Sequence, residues 1–252
     1  MWPRNSYLAI KNWAFGNLLK KVPEVVQIDH EFPEMTAADR ETLALAAPYT
    51  QTSPARLYAL TQAVRYIHRH GIEGAVVECG VWRGGSMMAA ARTLVQLSSS
   101  SRDLYLFDTF EGMSAPTQVD VSYFGVSAKE YMKDPRFNVV PLEDVQACMR
   151  STGYPEQKIH YVKGKVEDTL PGEAPEKIAL LRLDTDWYES TKHELVHLFP
   201  RLVSNGVIII DDYGHFEGCR KAVDEYFADL RLPVLLQRID YTGRMAIKPP
   251  QT

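Results

Sequence analysis

The sequence predicts a doubly wound α/β fold, an open and mostly parallel sheet with helices on both faces. Three observations predict it. Short, continuous apolar runs recur along the chain and end in acidic or glycine turns. Segments with apolar residues at helical spacing lie between several of them. The chain has 252 residues, which suits one large α/β domain better than two small ones. In such sheets ligands bind beyond the carboxyl ends of the strands, so the residues at strand ends carry the functional reading.

The elements follow in order. Met1 to Lys21 carries Trp2, Leu8, Trp13, Phe15 and Leu18 beside Lys11, Lys20 and Lys21. It reads as an amphipathic helix covering the site or a subunit contact, with a membrane-surface role as the alternative, and not as a signal peptide, because Lys11 interrupts the apolar stretch and no small-residue cleavage site follows. Pro54 to His70 is a helix with Leu57, Leu60, Val64 and Ile67 on one face, Ser53 as N-cap and Gly71 as stop. Strands follow at Ala75–Gly80, Leu104–Asp108, Ile159–Gly164, Ile178–Asp184 and Val207–Asp212, with a closing antiparallel pair at Val234–Ile239 and Met245–Lys248 around Thr242-Gly243. Further helices are predicted over Gly85–Leu97, Thr191–Phe199 and Cys219–Leu230. Residues 109–157 are too long for a simple connection and hold Met113, Tyr123, Phe124, Tyr131 and Met132. They form either a lid over the strand ends or an extra helix packed on the body. The division expected is therefore an N-terminal helical or lid segment at 1–52 and a single domain at 53–252, with the insertion at 109–157.

Composition narrows the function. Formal net charge is -4, so no global positive field draws in nucleic acid. No apolar run approaches the roughly 18 residues of a membrane span. Cys79, Cys148 and Cys219 are too few and scattered for a disulfide framework or structural zinc, and suit a reducing cytoplasm.

Glu78-Cys79-Gly80-Val81-Trp82-Arg83-Gly84-Gly85-Ser86 joins the first strand to its helix. Its glycines let backbone approach a ligand, and Gly84 to Ser86 present free N–H groups at a helix start. An acidic residue closes the strand where a dinucleotide site would receive a pyrophosphate. Glu78 would repel a diphosphate but can pair with a cation such as the amino group of S-adenosylmethionine (SAM). Asp108, ending the next strand, can accept hydrogen bonds from ribose hydroxyls, or cap a turn.

Asp184 ends the fourth strand and Asp211-Asp212 the fifth. Acids buried after apolar runs repel one another, and a bound cation relieves this. Carboxylates are hard ligands that favour Mg²⁺ over zinc; helix capping is the alternative. Mg²⁺ there would lower the pKa of an acceptor hydroxyl. Asp186 is the best-placed base for its proton, with His215 as the alternative.

His193-Glu194-Leu195-Val196-His197 matches the H-E-x-x-H pattern of zinc proteases. We read it as coincidence. Val203 and Pro200 stand where the extended motif needs His and Gly, and Thr191 with Glu194 forms a capping box. Leu195, Leu198 and Leu202 face the core and leave the histidines on a flank.

The ordered set Val77–Gly85, Leu181–Asp186, Ile209–Tyr213, Cys219-Arg220 and Ala222–Tyr226 resembles the macrocin O-methyltransferase family over about residues 50 to 230. The resemblance implies the class I SAM-dependent methyltransferase (Rossmann-like) fold with a seven-stranded sheet. It also implies Mg²⁺-dependent methylation of a deoxysugar hydroxyl on an antibiotic. It assigns Asp184, Asp211 and Asp212 to the metal and Asp186 to the base. It sets Glu78, Gly80, Ser86 and Asp108 around SAM, with Gly164 and Val166 near the adenine. Thr52 and Ser53 lie in its SAM-covering segment, although only Arg56-Leu57 of the usual pattern is kept and the residues before it are not. It implies a homo-oligomer acting on a small-molecule acceptor. Two other functions are consistent with these residues: a metal-dependent phenol or catechol methyltransferase with Trp82, Trp187, Tyr213 and Phe216 as walls, and a SAM-binding protein without catalysis.

Overall fold

The structure of the protein is a computed structural model that describes residues 32–134, 138–230 and 232–250. The helix expected within residues 1–21 lies outside the described residues. The chain divides into two compact units, Met1–Ala37 and Ala38–Thr252. The first contributes residues 32–37, where the Met35 N–H donates to the Phe32 carbonyl at 3.1 Å. The second carries the fold.

Its elements are α1 (Ala37–Ala46), α2 (Pro54–Arg69), β1 (Ala75–Cys79), α3 (Gly85–Gln96), β2 (Leu104–Asp108), α4 (Ala128–Tyr131), α5 (Leu142–Arg150), β3 (Ile159–Lys163), α6 (Val166–Thr169), β4 (Ile178–Leu183), α7 (Tyr188–Leu198), β5 (Leu202–Ile210), α8 (Glu217–Asp229), β6 (Gln237–Arg238) and β7 (Arg244–Ile247). The sheet has seven strands in the order β3-β2-β1-β4-β5-β7-β6. The first five are mutually parallel, and β7 runs antiparallel to β5 and β6. The order reverses between β1 and β4, the switch point where ligands bind in doubly wound sheets.

Strand alternation sorts the core into two layers. Val76, Leu104, Leu106, Leu180, Val207 and Ile209 point to the side covered by α2, α3 and α5. Val77, Phe107, Leu181, Leu183, Ile208 and Ile210 point to the side covered by α6, α7 and α8. Every residue of β1 and β4 is buried, as expected for parallel strands covered on both faces. Among the described residues no helix is long and apolar enough to cross a membrane.

Three element boundaries differ from the sequence expectation by three residues or more. β5 begins at Leu202, not Val207, because its register against β4 shifts between Ile178 and Leu180. Asn205, at φ 65°, and Gly206 lie in that irregular stretch and resemble a turn in sequence. The final pair is shorter, with only Gln237 and Arg238 in β6. Helix α7 opens at Tyr188, three residues before Thr191. Thr191 is thus inside the helix and the expected capping box does not form.

The true cap of α7 comes from the insertion. Asp120, buried at 1 %, accepts the Tyr188 N–H through Oδ1 at 2.8 Å and the Thr117 N–H through Oδ2 at 2.6 Å. The same Asp120 oxygen sits where a side chain on Gly218 would be. Other described parts of the insertion also pack on the body. Val145 and Met149 of α5 are fully buried against the α3 side, and Ser122 bridges to Phe216.

Candidate active site

The strand ends at the switch point hold nearly all the expected residues, and backbone geometry converges them. Gly80 has φ +84°, and a Cβ there would collide with the Asp184 carbonyl oxygen. Only glycine lets the β1 and β4 ends approach so closely. Gly85 opens α3 beneath the Tyr49 carbonyl, where a Cβ would come within 2.6 Å of the oxygen. The Asp184 N–H donates to the Cys79 carbonyl and the Asp211 N–H to the Leu183 carbonyl, each at 2.9 Å, so pairing carries on past the strand ends. Trp82, Phe110 and Asp186 adopt φ of 48°, 52° and 67° just beyond β1, β2 and β4. Left-handed backbone is costly for such residues and concentrates at functional sites.

Asp108 organises the loop. Its Oδ2 accepts the Val81 N–H at 2.7 Å and the Trp82 N–H at 3.0 Å, while Oδ1 accepts the Phe110 N–H at 2.8 Å. A carboxylate offers about four lone-pair sites; the Thr109 hydroxyl, 3.4 Å from Oδ1, takes the fourth here and would give way to a ribose hydroxyl. Gly164 donates its N–H to the Asp108 carbonyl at 3.0 Å. Val166, the buried first residue of α6, lies on the same rim.

The central feature is a cation that sequence reasoning left without a role. Arg182 of β4 is 3 % exposed and bridges four partners. Nη1 pairs with Glu78 Oε1 and, at 2.8 Å, with Asp184 Oδ2; Nη2 pairs with Asp211 Oδ1 at 2.5 Å and donates to Thr52 Oγ1 at 2.8 Å. Thr52 lies 3.4 Å from the Ser86 hydroxyl. Arg182 therefore gathers Thr52, Ser86, Glu78, Asp184 and Asp211 into one cluster. A charged residue inside the apolar run 178–183 was the available signal, since such a residue needs buried partners.

A second guanidinium adjoins it. Arg56, in the first turn of α2, pairs with Asp211 Oδ2 and, through Nε, with Asp240 Oδ2 at 3.1 Å. Ser53 caps α2, accepting the Arg56 N–H at 3.2 Å, and donates its hydroxyl to Asp240 at 2.7 Å. Asp240 comes from the β6–β7 turn, which the sequence reading did not connect with the site.

The acids divide between these cations and one another. Ligand atoms of Asp184, Asp186 and Asp212 lie within 4.8 Å of one another. Asp211 faces Arg56 and Arg182. The structure thus brings Asp184 and Asp212 together as expected, adds Asp186, and turns Asp211 to the guanidinium groups. Asp212 Oδ2 and Glu78 Oε2 are buried without a hydrogen-bond partner. Burial raises Glu78 to about 8 against the pull of Arg182, and raises Asp184 and Asp186 to about 7. Asp212 is held well above the usual range by burial and by the Asp186 charge. Unpartnered carboxylate oxygens in a recess of hard donors fit a divalent cation, and the Glu78 oxygen fits an ammonium group.

His215 lies on the far side of Asp212, its N–H bonded to the Asp212 carbonyl at 2.9 Å. Its Nδ1 is 2.6 Å from the Tyr241 hydroxyl, and the rings of Tyr131, Phe216 and Tyr241 have centroids within 5.8 Å of its own. Burial and the Arg56 charge lower its pKa.

The H-E-x-x-H residues form no such recess. Glu194 is fully buried with both carboxyl oxygens unpartnered, while His193 and His197 lie half-buried, their ring centroids 4.3 Å apart. Burial holds the Glu194 carboxyl well above its ordinary range. Among the described residues the one grouping of metal-ligand type is Asp184, Asp186 and Asp212.

A seven-stranded sheet of this order with an acidic loop at its switch point defines a SAM-dependent O-methyltransferase of class I. Comparison with known proteins narrows the class: residues 14–247 match the macrocin O-methyltransferase (TylF) description, and the chain belongs to that family. It is 34% identical over 196 residues to the 8-demethyl-8-(2,3-dimethoxy-alpha-L-rhamnosyl)-tetracenomycin-C 4'-O-methyltransferase of Streptomyces olivaceus, spanning 77% of this chain and 74% of that one. It is 31% identical over 201 residues to the demethyldecarbamoylnovobiocin O-methyltransferase of Streptomyces niveus, spanning 79% and 75%. Among solved structures, the O-methyltransferase NovP superposes with a TM-score of 0.69 at 29% identity, covering 80% of this chain and 83% of NovP. The calicheamicin methyltransferase CalS11 shares the fold, with a TM-score of 0.61 at 17% identity over 98% and 94% of the two chains.

Proposed function

We propose that the protein moves the methyl group of SAM to a deoxysugar hydroxyl on a glycosylated natural product, with Mg²⁺ as a second requirement. The observation that carries the metal is the meeting of Asp184, Asp186 and Asp212 within 4.8 Å beside the cofactor loop. The sugar is supported by the relative named for a rhamnosyl tetracenomycin.

The roles follow from the chemistry of each side chain. The unpartnered Glu78 oxygen receives the SAM amino group. Asp108 would take the ribose hydroxyls and Gly164 and Val166 the adenine side, with Gly80, Ser86, Thr52 and Ser53 as further SAM contacts. Asp184 and Asp212 would hold the metal, with Asp211, which the family pattern also assigns to it, paired to Arg56 and Arg182 in this structure. Mg²⁺ at that position would supply Lewis-acid chemistry, lowering the pKa of an acceptor hydroxyl. Asp186 takes the hydroxyl proton as the methyl passes from sulfur to oxygen and S-adenosylhomocysteine leaves. Tyr131 of the insertion, whose ring meets that of His215, stands on the acceptor side. The setting is cytoplasmic and the assembly a homo-oligomer.

A phenol acceptor is the second reading, favoured by the rings of Tyr131, Phe216 and Tyr241 around His215. One experiment separates the two: S-adenosylhomocysteine release over glycosides and catechols, with Mg²⁺ and then EDTA. EDTA-sensitive turnover on glycosides is expected. Turnover on catechols alone overturns the sugar reading, and turnover unaffected by EDTA overturns the metal.

A further inference from the structure

Asp211 is paired to two guanidinium groups, and they differ. Arg182 is enclosed by β4 and tied to Glu78, Asp184, Asp211 and Thr52. Arg56 arrives from outside the sheet and divides its guanidinium between two carboxylates, Asp211 Oδ2 and Asp240 Oδ2. Its stem lies under the β6–β7 turn, where a Cβ on Gly243 would be 2.8 Å from Arg56 Cδ. Asp240 is itself fixed. Its Oδ1 accepts the N–H groups of Thr242 at 2.9 Å and Gly243 at 2.7 Å, which leaves Oδ2 for Arg56 and Ser53.

From this geometry we infer that Arg56 is a built-in competitor for the metal, parked between Asp240 and Asp211 and set by Asp240 against full engagement of the acid cluster. The inference rests on the metal reading above. A guanidinium on Asp211 supplies the positive charge that a divalent cation would otherwise supply, and the two cations repel at this range. Asp240 holds the Nε side of the same guanidinium whose Nη1 is on Asp211, and so shares its charge with Asp211. Because Ser53 and Arg56 share Asp240, the segment at 52–56 and the metal are linked through one side chain.

Two substitutions shift metal affinity in opposite directions. Arg56→Gln removes the competing charge and should tighten Mg²⁺ or Mn²⁺ binding by about 10-fold or more. Asp240→Asn keeps the Oδ1 contacts that hold the turn but withdraws the carboxylate from Arg56. It should leave Asp211 as the one carboxylate paired with Arg56, concentrate the guanidinium charge there, and weaken metal binding by about 10-fold. The measurement is calorimetric titration of each metal into the whole protein without SAM or acceptor, with thermal melts to verify folding. Opposite shifts support the inference. Shifts of the same sign in both variants, or none in either while the wild type binds metal, overturn it and leave the metal reading standing. A wild type that binds neither metal removes the metal reading, and this inference with it.

Discussion

At the scale of single residues, the site is an exercise in placing like charges together. Five aspartates and Glu78 crowd two arginines, and each group's cost depends on its neighbours staying in place. Arg182→Met should therefore be severe. It strands Glu78, Asp184 and Asp211 without their shared cation, and removal of one partner from a buried pair costs about 3–5 kcal/mol. Urea denaturation checks this; a variant within about 1 kcal/mol of wild type would show that the acids find other partners. Asp186→Asn should lower kcat by about 10²–10⁴-fold if it is the base, with SAM affinity unchanged by calorimetry. If kcat survives and His215→Gln abolishes it, the proton goes to His215, whose lowered pKa keeps the ring neutral at pH 7.

Residues at this scale were only partly legible. Glu78, Asp108 and the aspartates follow apolar runs, and acids there are conspicuous. Trp82, Phe110 and Asp186 carry left-handed backbone without being glycines, so no residue type announced it. Arg182 was visible as a charge in a buried strand, but its partners come from three other segments. Asp240 sits in a hairpin turn, where aspartate has ample local reasons to occur.

Among elements, the sheet was readable because parallel strands buried on both faces are continuous apolar runs. Helix α7 was misjudged at its start for a physical reason. Its cap is supplied by Asp120, 68 positions earlier in the chain, so Trp187-Tyr188 shows no local signal. Asp120→Ala should destabilise the protein by about 1–2 kcal/mol, as for loss of a helix cap. It should raise KM for the acceptor more than for SAM, because the insertion loses its tether to the Asp186 side. Equal KM changes for both substrates would argue that the insertion acts on the whole site. Asp108→Ala frees three backbone N–H groups of two loops and should weaken SAM binding; unchanged SAM affinity would remove Asp108 from the cofactor.

For the whole molecule, the acid cluster couples stability to pH. Asp184, Asp186 and Glu78 have folded-state pKa values raised to about 7, 7 and 8. Between the ordinary carboxyl range and those values the folded state holds more protons than the unfolded chain. Their contribution is thus complete at low pH and lost as pH rises through about 7 to 8. In EDTA, Tm should fall from pH 6 to pH 8, and Mg²⁺ should restore more of it at pH 8 than at pH 6. A Tm that rises over this interval without metal would contradict the assigned direction.

The clasp between Asp120 and Gly218 also constrains how the enzyme can be recombined with its relatives. Residues 109–157 lie between two strands and invite transplantation as a cassette to alter acceptor choice. Yet the cassette's Asp120 fills the space that any side chain at position 218 would need, and it supplies the first hydrogen bond of a helix outside the cassette. A chimaera that imports the segment into a host lacking glycine at 218 should misassemble. Crossovers that carry Asp120 and Gly218 together should be tolerated.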